Sequence, residues 1–301
     1  MAKIHYIEQA LEDTGIPFLR NEPLAGHTTF RIGGPARVLC LPQNEILLTQ
    51  AAALCRAAGQ RLYFLGNGSN VLFADEGYDG VVLKIGVALP SIHVEGTSIM
   101  AGSGALLSKM CVAARDAGLT GLEFAYGIPG MVGGAVYMNA GAYDGELKDV
   151  LQSVRFLDEQ GKIQELDAKE LHLGYRTSVF EGKPWCLLSA RFALQGGDTV
   201  QISQTMEDYM QRRRNKQPLE LPSAGSTFKN PTGAFASALI DQCGLRGFRV
   251  GDAAISQKHC GFVVNLGRAS CADVIALTDY VSRTVREKTG YNLEKEIRVV
   301  R

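Results

Sequence analysis

The sequence predicts an α+β fold of two or three domains, and three observations lead to this prediction. The chain has 301 residues, more than one domain usually contains. Helix and strand patterns alternate in its first part, whereas short strands and hairpin signals predominate around its middle. The apolar fraction of 46% and the charged fraction of 21% are typical of soluble globular proteins. Changes in these patterns near residues 85 and 200 divide the chain into predicted domains 1–85, 86–200 and 201–301.

The first predicted domain is a small sheet with helical cover. The segment MAKIHYIEQALEDTG has an amphipathic helical pattern and lacks the uninterrupted apolar core of a signal peptide. Asn44 is suited to cap a second helix, which Gly59 ends. The predicted strands are residues 36–41, 61–65 and 81–85.

The second and third predicted domains mix helices with short strands. Helices are predicted at 106–117, 199–215 and 236–243, each bounded by glycine or charged residues. Ser270 and Asp273 have the spacing of a capping box, which predicts the start of a helix that runs to residue 288. The predicted strands are residues 99–104, 153–157, 187–194, 261–266 and 293–300.

The most informative segment is the glycine run, residues 125–145, AYGIPGMVGGAVYMNAGAYDG. It contains six glycines and no charged residue before Asp144. Glycine is favoured where a backbone must approach another group closely, and Pro129 fixes the chain direction before Gly130. Such a shaped backbone suits an anion such as a diphosphate. A glycine-rich turn between strands is the alternative, because glycine spacing alone is weak evidence.

A second glycine loop, GNGSN at residues 66–70, directly follows a predicted strand. Its amides and the Ser69 hydroxyl are suited to phosphate oxygens, although it is neither a GxGxxG motif nor a P-loop. A hairpin turn is the alternative, since Asn-Gly is also a hairpin signal. Together the two loops suggest a grip on one diphosphate from two sides.

Charged and hydroxyl residues in the second half are candidates for the chemistry. Small residues precede Ser226 in SAGSTFKNP, which favours a hydrogen-bond donor or general acid over a nucleophile. A basic cluster, Arg212–Arg213–Arg214 with Lys216, is suited to an anionic substrate group or, alternatively, simply ends a helix favourably. Arg176, Glu296 and His259 have no context of their own that separates a surface charge or loop residue from a functional one.

Composition excludes several classes of function. Thirty-one basic and 31 acidic residues leave no net charge, so we expect neither a nucleic-acid nor a membrane partner. The seven scattered cysteines show no CxxC pair, which favours reduced thiols in the cytoplasm and no metal site.

Five motifs then occur in an order that resembles the UDP-N-acetylenolpyruvoylglucosamine reductases. They are GNGSN, GIPGMVGGAVYMNAGAY, GYRTS, SAGSTFKNP and LEKEIRVV. The resemblance extends from about residue 28 to the C-terminus. It implies two domains that form a vanillyl-alcohol-oxidase-like FAD-binding unit and a third α+β domain that binds the substrate, UDP-N-acetylglucosamine enolpyruvate. With no obvious insertion after Arg176, the chain resembles the shorter form of the family.

The resemblance also implies a role for individual residues. Arg176 and Glu296 match the charged catalytic pair, and Ser226 matches the proton donor; Lys216 and Asn230 match substrate contacts, to which the basic cluster adds Arg214. The cofactor-binding positions are Gly66, Asn67, Gly68, Ser69, Asn70, Gly130, Gly133, Gly134 and Asn139. Neither glycine segment contains His or Cys, so we expect FAD to be bound without a covalent link.

The implied reaction is the reduction of the enolpyruvyl ether to UDP-N-acetylmuramate, with NADPH as reductant, in peptidoglycan synthesis. We expect a cytoplasmic monomer or weak oligomer. One alternative is a flavin oxidase or dehydrogenase that acts on another alcohol or sugar. The other is a nucleotide-sugar sensor without turnover, which the joint presence of Arg176, Ser226 and Glu296 disfavours.

Overall fold

The computed structural model describes residues 2–301, and their contacts divide the chain into two compact units. The first unit contains the residues up to Arg20, then Arg37–Asn67 and Gly80–Arg212. The second contains Asn21–Ala36, Gly68–Asp79 and Arg213–Arg301. The chain therefore passes from one unit to the other several times.

The predicted helices are confirmed to within a few residues at their ends. The helices are α1 (Ala2–Asp13), α2 (Glu45–Ala57), α3 (Leu107–Asp116), α4 (Val132–Tyr137), α5 (Thr199–Lys216), α6 (Ala236–Gln242) and α7 (Cys271–Thr289). Asn44 caps α2, accepting a hydrogen bond from the Leu47 amide at 2.9 Å. Ser270 and Asp273 form the expected capping box of α7, and Gly290 ends it in a left-handed conformation. Helix α4 lies inside the glycine run and was not predicted.

The strands are short and mostly antiparallel. They are β1 (Phe18–Pro23), β2 (Pro35–Cys40), β3 (Leu62–Leu65), β4 (Val71–Phe73), β5 (Tyr78–Lys84), β6 (Ile92–Glu95), β7 (Ser98–Gly102), β8 (Leu119–Thr120), β9 (Gly141–Ala142), β10 (Gly145–Glu146), β11 (Leu151–Leu157), β12 (Ile163–Asp167), β13 (Cys186–Ala193), β14 (Gln195–Gly196), β15 (Ser223–Ser226), β16 (Arg249–Val250), β17 (Ala253–Ile255), β18 (Phe262–Asn265) and β19 (Arg298–Val300). The larger sheets have the orders β1-β2-β5-β3, β12-β11-β13-β7-β6 and β15-β18-β17-β16.

The first unit has two hydrophobic cores. One packs α1 and α2 against β2 and β5, with Leu11, Leu48 and Val81 fully buried. The other packs α3 and α4 against β7, β11 and β13, with Val132 and Phe192 fully buried. All seven cysteines of the chain are buried free thiols, and burial raises the pKa of Cys40, Cys55 and Cys186 to about 12. They therefore behave as small apolar side chains.

The second unit has one core, between α6, α7 and the β15-β18-β17-β16 sheet. Val274, Leu277, Val281 and Val285 recur along α7 and are fully buried, as their helical spacing predicts. The parallel pair β4 and β19 adjoins this core through Leu72 and Val299. Helix α7 is thus held both by its apolar face and by its capped first turn.

A second acidic residue caps α7 from outside the helix. The carboxylate of Asp75 accepts the Cys271 amide at 2.7 Å and the Ala272 amide at 2.9 Å. These amides belong to the first turn, where no intrahelical acceptor exists. We expect Asp75→Ala to lower the free energy of unfolding by about 1–2 kcal/mol, measured by urea denaturation of the apoprotein. An unchanged midpoint would contradict this role of Asp75.

The prediction of a final strand over 293–300 is too long. The strand β19 begins at Arg298, so Glu296 lies two residues before it instead of on it. The reason is a change of partner: Lys295 forms an antiparallel bridge with Phe228, whereas Arg298–Val300 pair in parallel with Val71–Phe73. The chain turns between the two pairings, which breaks the regular strand at Glu296.

Candidate functional site

The two glycine segments meet in the first unit. The side-chain Nδ2 of Asn67 donates a hydrogen bond of 3.1 Å to the backbone carbonyl of Pro129, a residue of the glycine run. A Cβ at Gly66 would lie 3.6 Å from Met131 Sδ. The sequence placed these loops together only by inference, and the structure brings residues 62 positions apart into contact.

Gly134 stands out among the glycines of the run. It lies in the first half of α4, exposed, between buried residues on both sides. Its φ is not positive, and a Cβ built there meets no atom within 4 Å. Neither backbone conformation nor protein packing therefore requires glycine at this position. A bound group that approaches the backbone closely would require it.

Other glycines of the predicted cofactor set have reasons within the protein. A Cβ at Gly133 would lie 2.7 Å from Ser103 Cβ, and the Gly133 amide already donates to Ser103 O. The Gly130 amide donates to Ile128 O, a bond that does not itself require glycine. Gly68 has φ +65°, and a Cβ there would lie 2.4 Å from His27 O. The sequence did not distinguish these packing glycines from Gly134.

The side chain of Asn139 is fully used in hydrogen bonds within the protein. It is fully buried, and its amide nitrogen donates to Glu146 Oε2 at 2.5 Å and to Gly174 O at 2.9 Å. Its amide oxygen accepts the Lys148 amide at 2.9 Å. The bond to Gly174 connects the glycine run to the loop that carries Arg176, and the other two hold the segment that follows the run. A cofactor contact by this side chain would require breaking them.

Arg176 is held against the same glycine run. It occupies a tight turn in which Gly174 and Thr177 exchange backbone hydrogen bonds, and its φ of +57° lies in the left-handed region. Its Nη2 donates to Gly141 O at 3.0 Å. Its guanidinium lies 5.2 Å from the centre of the Tyr175 ring. Sequence reasoning gave Arg176 no local context, because its partner is 35 residues away.

Ser226 lies at the end of strand β15 in the second unit. The pairing of β15 with β18 shifts register between Ser223 and Ser226, which marks an irregularity in the strand. Gly225 within it has φ +78° and open space where a Cβ would lie. The backbone beside Ser226 is therefore uncrowded, as its small neighbours in the sequence predicted.

In the second unit, Glu296 is hydrogen-bonded both to Asn70 and to the residue that follows Ser226. The Glu296 amide donates to Thr227 O at 2.8 Å, and the Asn70 side chain donates to Glu296 O at 3.2 Å. The Arg298 amide donates to Asn70 O at 3.1 Å. The structure thus brings three positions together: Thr227 directly after Ser226, Glu296 before β19, and Asn70 at the end of the GNGSN loop. Their separation in sequence is why reasoning along the chain alone gave Glu296 no context.

The predicted substrate residues lie on the surface of the second unit. Arg214, Lys216 and Asn230 are exposed. The side-chain oxygen Oδ1 of Asn230 accepts the Ala236 backbone amide at 3.0 Å, which fixes the loop before α6. Lys258 donates to Arg214 O at 2.7 Å and adds a further cation to this surface.

His259 ends a loop, one of the two roles that its sequence allowed. Its Nδ1 accepts the Gly261 amide at 3.1 Å and therefore carries no proton. Burial is the main cause that lowers the pKa of His259, and the nearby positive charges of Arg246 and Lys216 add to it. The imidazole is accordingly neutral near pH 7.

Two further properties bear on the class of protein. No helix within residues 2–301 is long and apolar enough to cross a membrane. In the same range, no group of three or more His, Cys, Asp or Glu side chains is arranged to hold a metal ion.

Two models of known protein families match parts of this chain. A family model for the FAD binding domain matches residues 36–167. One for the C-terminal domain of UDP-N-acetylenolpyruvoylglucosamine reductase matches residues 217–300. The fold of the berberine bridge enzyme from Eschscholzia californica is similar over 64% of this chain and 44% of that one, with 13% identity and a TM-score of 0.50. The predicted α+β fold with a vanillyl-alcohol-oxidase-like FAD-binding unit is confirmed.

Similarity to individual reductases extends over nearly the whole chain. The UDP-N-acetylenolpyruvoylglucosamine reductase of Clostridium perfringens (strain SM101) is 46% identical over 93% of this chain and 92% of its own length. The crystal structure of the enzyme from Thermus caldophilus is 37% identical, covers 95% of this chain and 99% of that one, and superposes with a TM-score of 0.80. The chain is a flavin-dependent oxidoreductase and belongs to the UDP-N-acetylenolpyruvoylglucosamine reductase family.

Proposed function

We propose that this protein reduces UDP-N-acetylenolpyruvoylglucosamine to UDP-N-acetylmuramate, with non-covalently bound FAD and with NADPH as reductant. One observation carries the proposal: the two glycine loops meet through Asn67 and Pro129, and the same glycine run holds Arg176 through Gly141. The start of the GNGSN loop, the glycine run and Arg176 therefore belong to one compact unit. The family membership supports the choice of substrate.

The residues present fit FAD. Gly134 leaves open space where a side chain would project, and Gly66 and Asn67, which contact the glycine run at Met131 and Pro129, carry no charge. For Gly130, Gly133 and Asn139 the proposal rests on the motif of the glycine run, because their backbone amides already donate to Ile128 O, Ser103 O and Val136 O. For Gly68, Ser69 and Asn70 the proposal rests on the GNGSN motif. When bound, FAD accepts reducing equivalents from NADPH and supplies hydride to the substrate.

The variant Gly134→Ala should weaken FAD binding without lowering the stability of the apoprotein. Alanine is favoured over glycine inside a helix by about 0.5–1 kcal/mol, so the apoprotein should be as stable as the wild type or more so. The added methyl group enters the space that we assign to FAD, and FAD affinity should fall at least tenfold. Fluorescence titration of the apoprotein with FAD measures this. Gly196→Ala is the matched control, since Gly196 also has open space and no positive φ. Wild-type affinity in Gly134→Ala would contradict the assignment.

The catalytic roles follow from residue chemistry. Hydride addition to the vinyl group leaves negative charge next to the substrate carboxylate. Arg176, fixed in a strained turn, supplies preorganised donors for that charge. Ser226 gives a proton to the adjacent carbon; a serine is a weak acid, but an enolate-like carbon is a strong base. Glu296, if protonated or linked through a water molecule, adds a hydrogen bond to the same developing charge.

We also propose substrate-binding residues, a location in the cell, an oligomeric state and a role for each domain. Lys216, Arg214 and Asn230 bind the nucleotide-sugar substrate, the two cations through its diphosphate. The protein acts in the cytoplasm as a monomer or weak oligomer, with no nucleic-acid or membrane partner. Domains 1–85 and 86–200 hold FAD, and 201–301 binds the substrate.

The experiment that tests the proposal begins with the purified protein and FAD. A bound flavin spectrum, NADPH consumption that depends on the enolpyruvyl substrate, and release of FAD into the supernatant on acid precipitation are expected. A colourless protein after reconstitution would overturn the cofactor assignment. Flavin that stays with the acid precipitate would show covalent attachment; it would overturn the proposal of non-covalent binding but not the assignment of FAD as cofactor.

A further inference from the structure

Residues 137–146, which include the last part of the glycine run and Glu146, hold the loop that carries Arg176. We call these residues the platform and residues 174–178 the arginine loop. Three hydrogen bonds join them: Arg176 Nη2 to Gly141 O at 3.0 Å, Asn139 Nδ2 to Gly174 O at 2.9 Å, and Ser178 Oγ to Tyr137 O at 2.7 Å. The position of the guanidinium therefore depends on where the platform places the Gly141 carbonyl.

The platform ends in a strained hairpin. Gly141–Ala142 pair with Gly145–Glu146, and the two residues of the turn are Tyr143 and Asp144. Their φ values are +51° and +65°, both left-handed. Hairpin turns of this kind usually contain Asn and Gly, because side chains larger than these resist that conformation. A strained turn persists only where its surroundings hold it.

Helix α5 provides that support. The ring of Tyr143 stacks on Tyr209 with centroids 4.3 Å apart and planes 8° from parallel. The Tyr143 hydroxyl donates to the Tyr209 backbone carbonyl at 2.9 Å. The Arg212 guanidinium lies 5.8 Å from the centre of the Tyr209 ring. The tip of the hairpin is thus fixed to α5 by one hydrogen bond and one stacked pair.

We propose that Tyr143 is a positioning residue for Arg176, acting through the Gly141 carbonyl and anchored on Tyr209. The proposal rests on the proposed function, because it assumes that Arg176 acts on the substrate. Tyr143 is itself not required to touch the substrate. Release of its hydroxyl lets the strained turn relax, which moves the carbonyl that orients the guanidinium. A displacement of about 1 Å in a catalytic group can reduce a rate by up to about a hundredfold.

A double-mutant cycle distinguishes positioning from direct contact. Tyr143→Phe retains the stacked ring and removes only the hydroxyl. In anaerobic stopped-flow measurements, reoxidation of the reduced flavin by the enolpyruvyl substrate should slow about tenfold. With Arg176→Ala as the background, Tyr143→Phe should cause no further loss, because the residue it positions is absent. An equal loss in both backgrounds would overturn the proposal in favour of direct substrate contact. An unchanged rate in the single variant would also overturn it.

A second readout does not depend on catalysis. In the apoprotein, amide hydrogen exchange in the arginine loop should speed up in Tyr143→Phe, since its backbone bonds are held through the platform. The matched control is Tyr280→Phe, which alters a stacked tyrosine on α7 in the other unit. If exchange in residues 174–178 equals that of the wild type, the proposal is wrong. If wild-type reduced flavin is not reoxidised by the substrate, the proposed function fails, and the exchange result alone decides whether Tyr143 positions Arg176.

Discussion

Replacement of Ser226 by alanine should stop reduction of the enolpyruvyl substrate while NADPH still reduces the flavin. The variant removes the only group to which we assign the proton transfer, and a general acid contributes about 10²–10⁴-fold to a rate. The two half-reactions are measured separately by anaerobic stopped flow, with the flavin absorbance as signal. The loss should fall on the oxidative half-reaction.

The control for this variant lies on the same strand. Ser223 begins β15, and Ser223→Ala removes a hydroxyl three residues before Ser226. Both half-reactions should proceed in Ser223→Ala at wild-type rates. Equal loss of the two half-reactions in Ser226→Ala would point to a disturbed flavin and would refute Ser226 as the proton donor.

Replacement of Arg176 should be nearly as damaging, for an electrostatic reason. Loss of one preorganised donor to a developing negative charge typically costs about 10²–10³-fold in rate. Arg176→Ala should lower the rate of flavin reoxidation by this amount. Arg176→Lys should recover part of it, since a lysine retains the charge but not the planar set of donors. The reduction of FAD by NADPH reports whether the cofactor is still bound normally.

The backbone at Arg176 makes these variants well matched. At φ +57°, alanine and lysine experience the same left-handed strain as arginine, so neither relieves nor adds to it. Differences between them therefore reflect the side chain. If Arg176→Ala reoxidises its flavin as fast as the wild type, the assignment of charge stabilisation to Arg176 is wrong.

Local signals predicted most of the fold. Helix ends followed from caps, as at Asn44 and Ser270, because a side chain that satisfies free amides is visible in the sequence. The apolar face of α7 followed from its helical spacing. Helix α4 was missed because two of its six residues, Gly133 and Gly134, are poor helix formers. Packing against the core overrides that local preference.

The candidate functional residues were predicted from motifs, but their arrangement was not. The sequence could not show that Gly141 holds Arg176, because the two are 35 residues apart and the bond uses a backbone carbonyl. The proposed role of Tyr143 is not visible in the sequence for a similar reason. Its signal was a Tyr-Asp pair in a two-residue hairpin turn, where Asn-Gly is usual. The second half of the glycine run holds Arg176 through Gly141, and we propose that its first half leaves room for the cofactor.

The central claim is that electrons pass from this protein's flavin to the enolpyruvyl ether. The most direct test reduces the enzyme-bound FAD under anaerobic conditions, removes excess reductant and adds UDP-N-acetylenolpyruvoylglucosamine. The claim predicts reoxidation of the flavin with one UDP-N-acetylmuramate formed per flavin. A flavin that stays reduced in the presence of this substrate would contradict it.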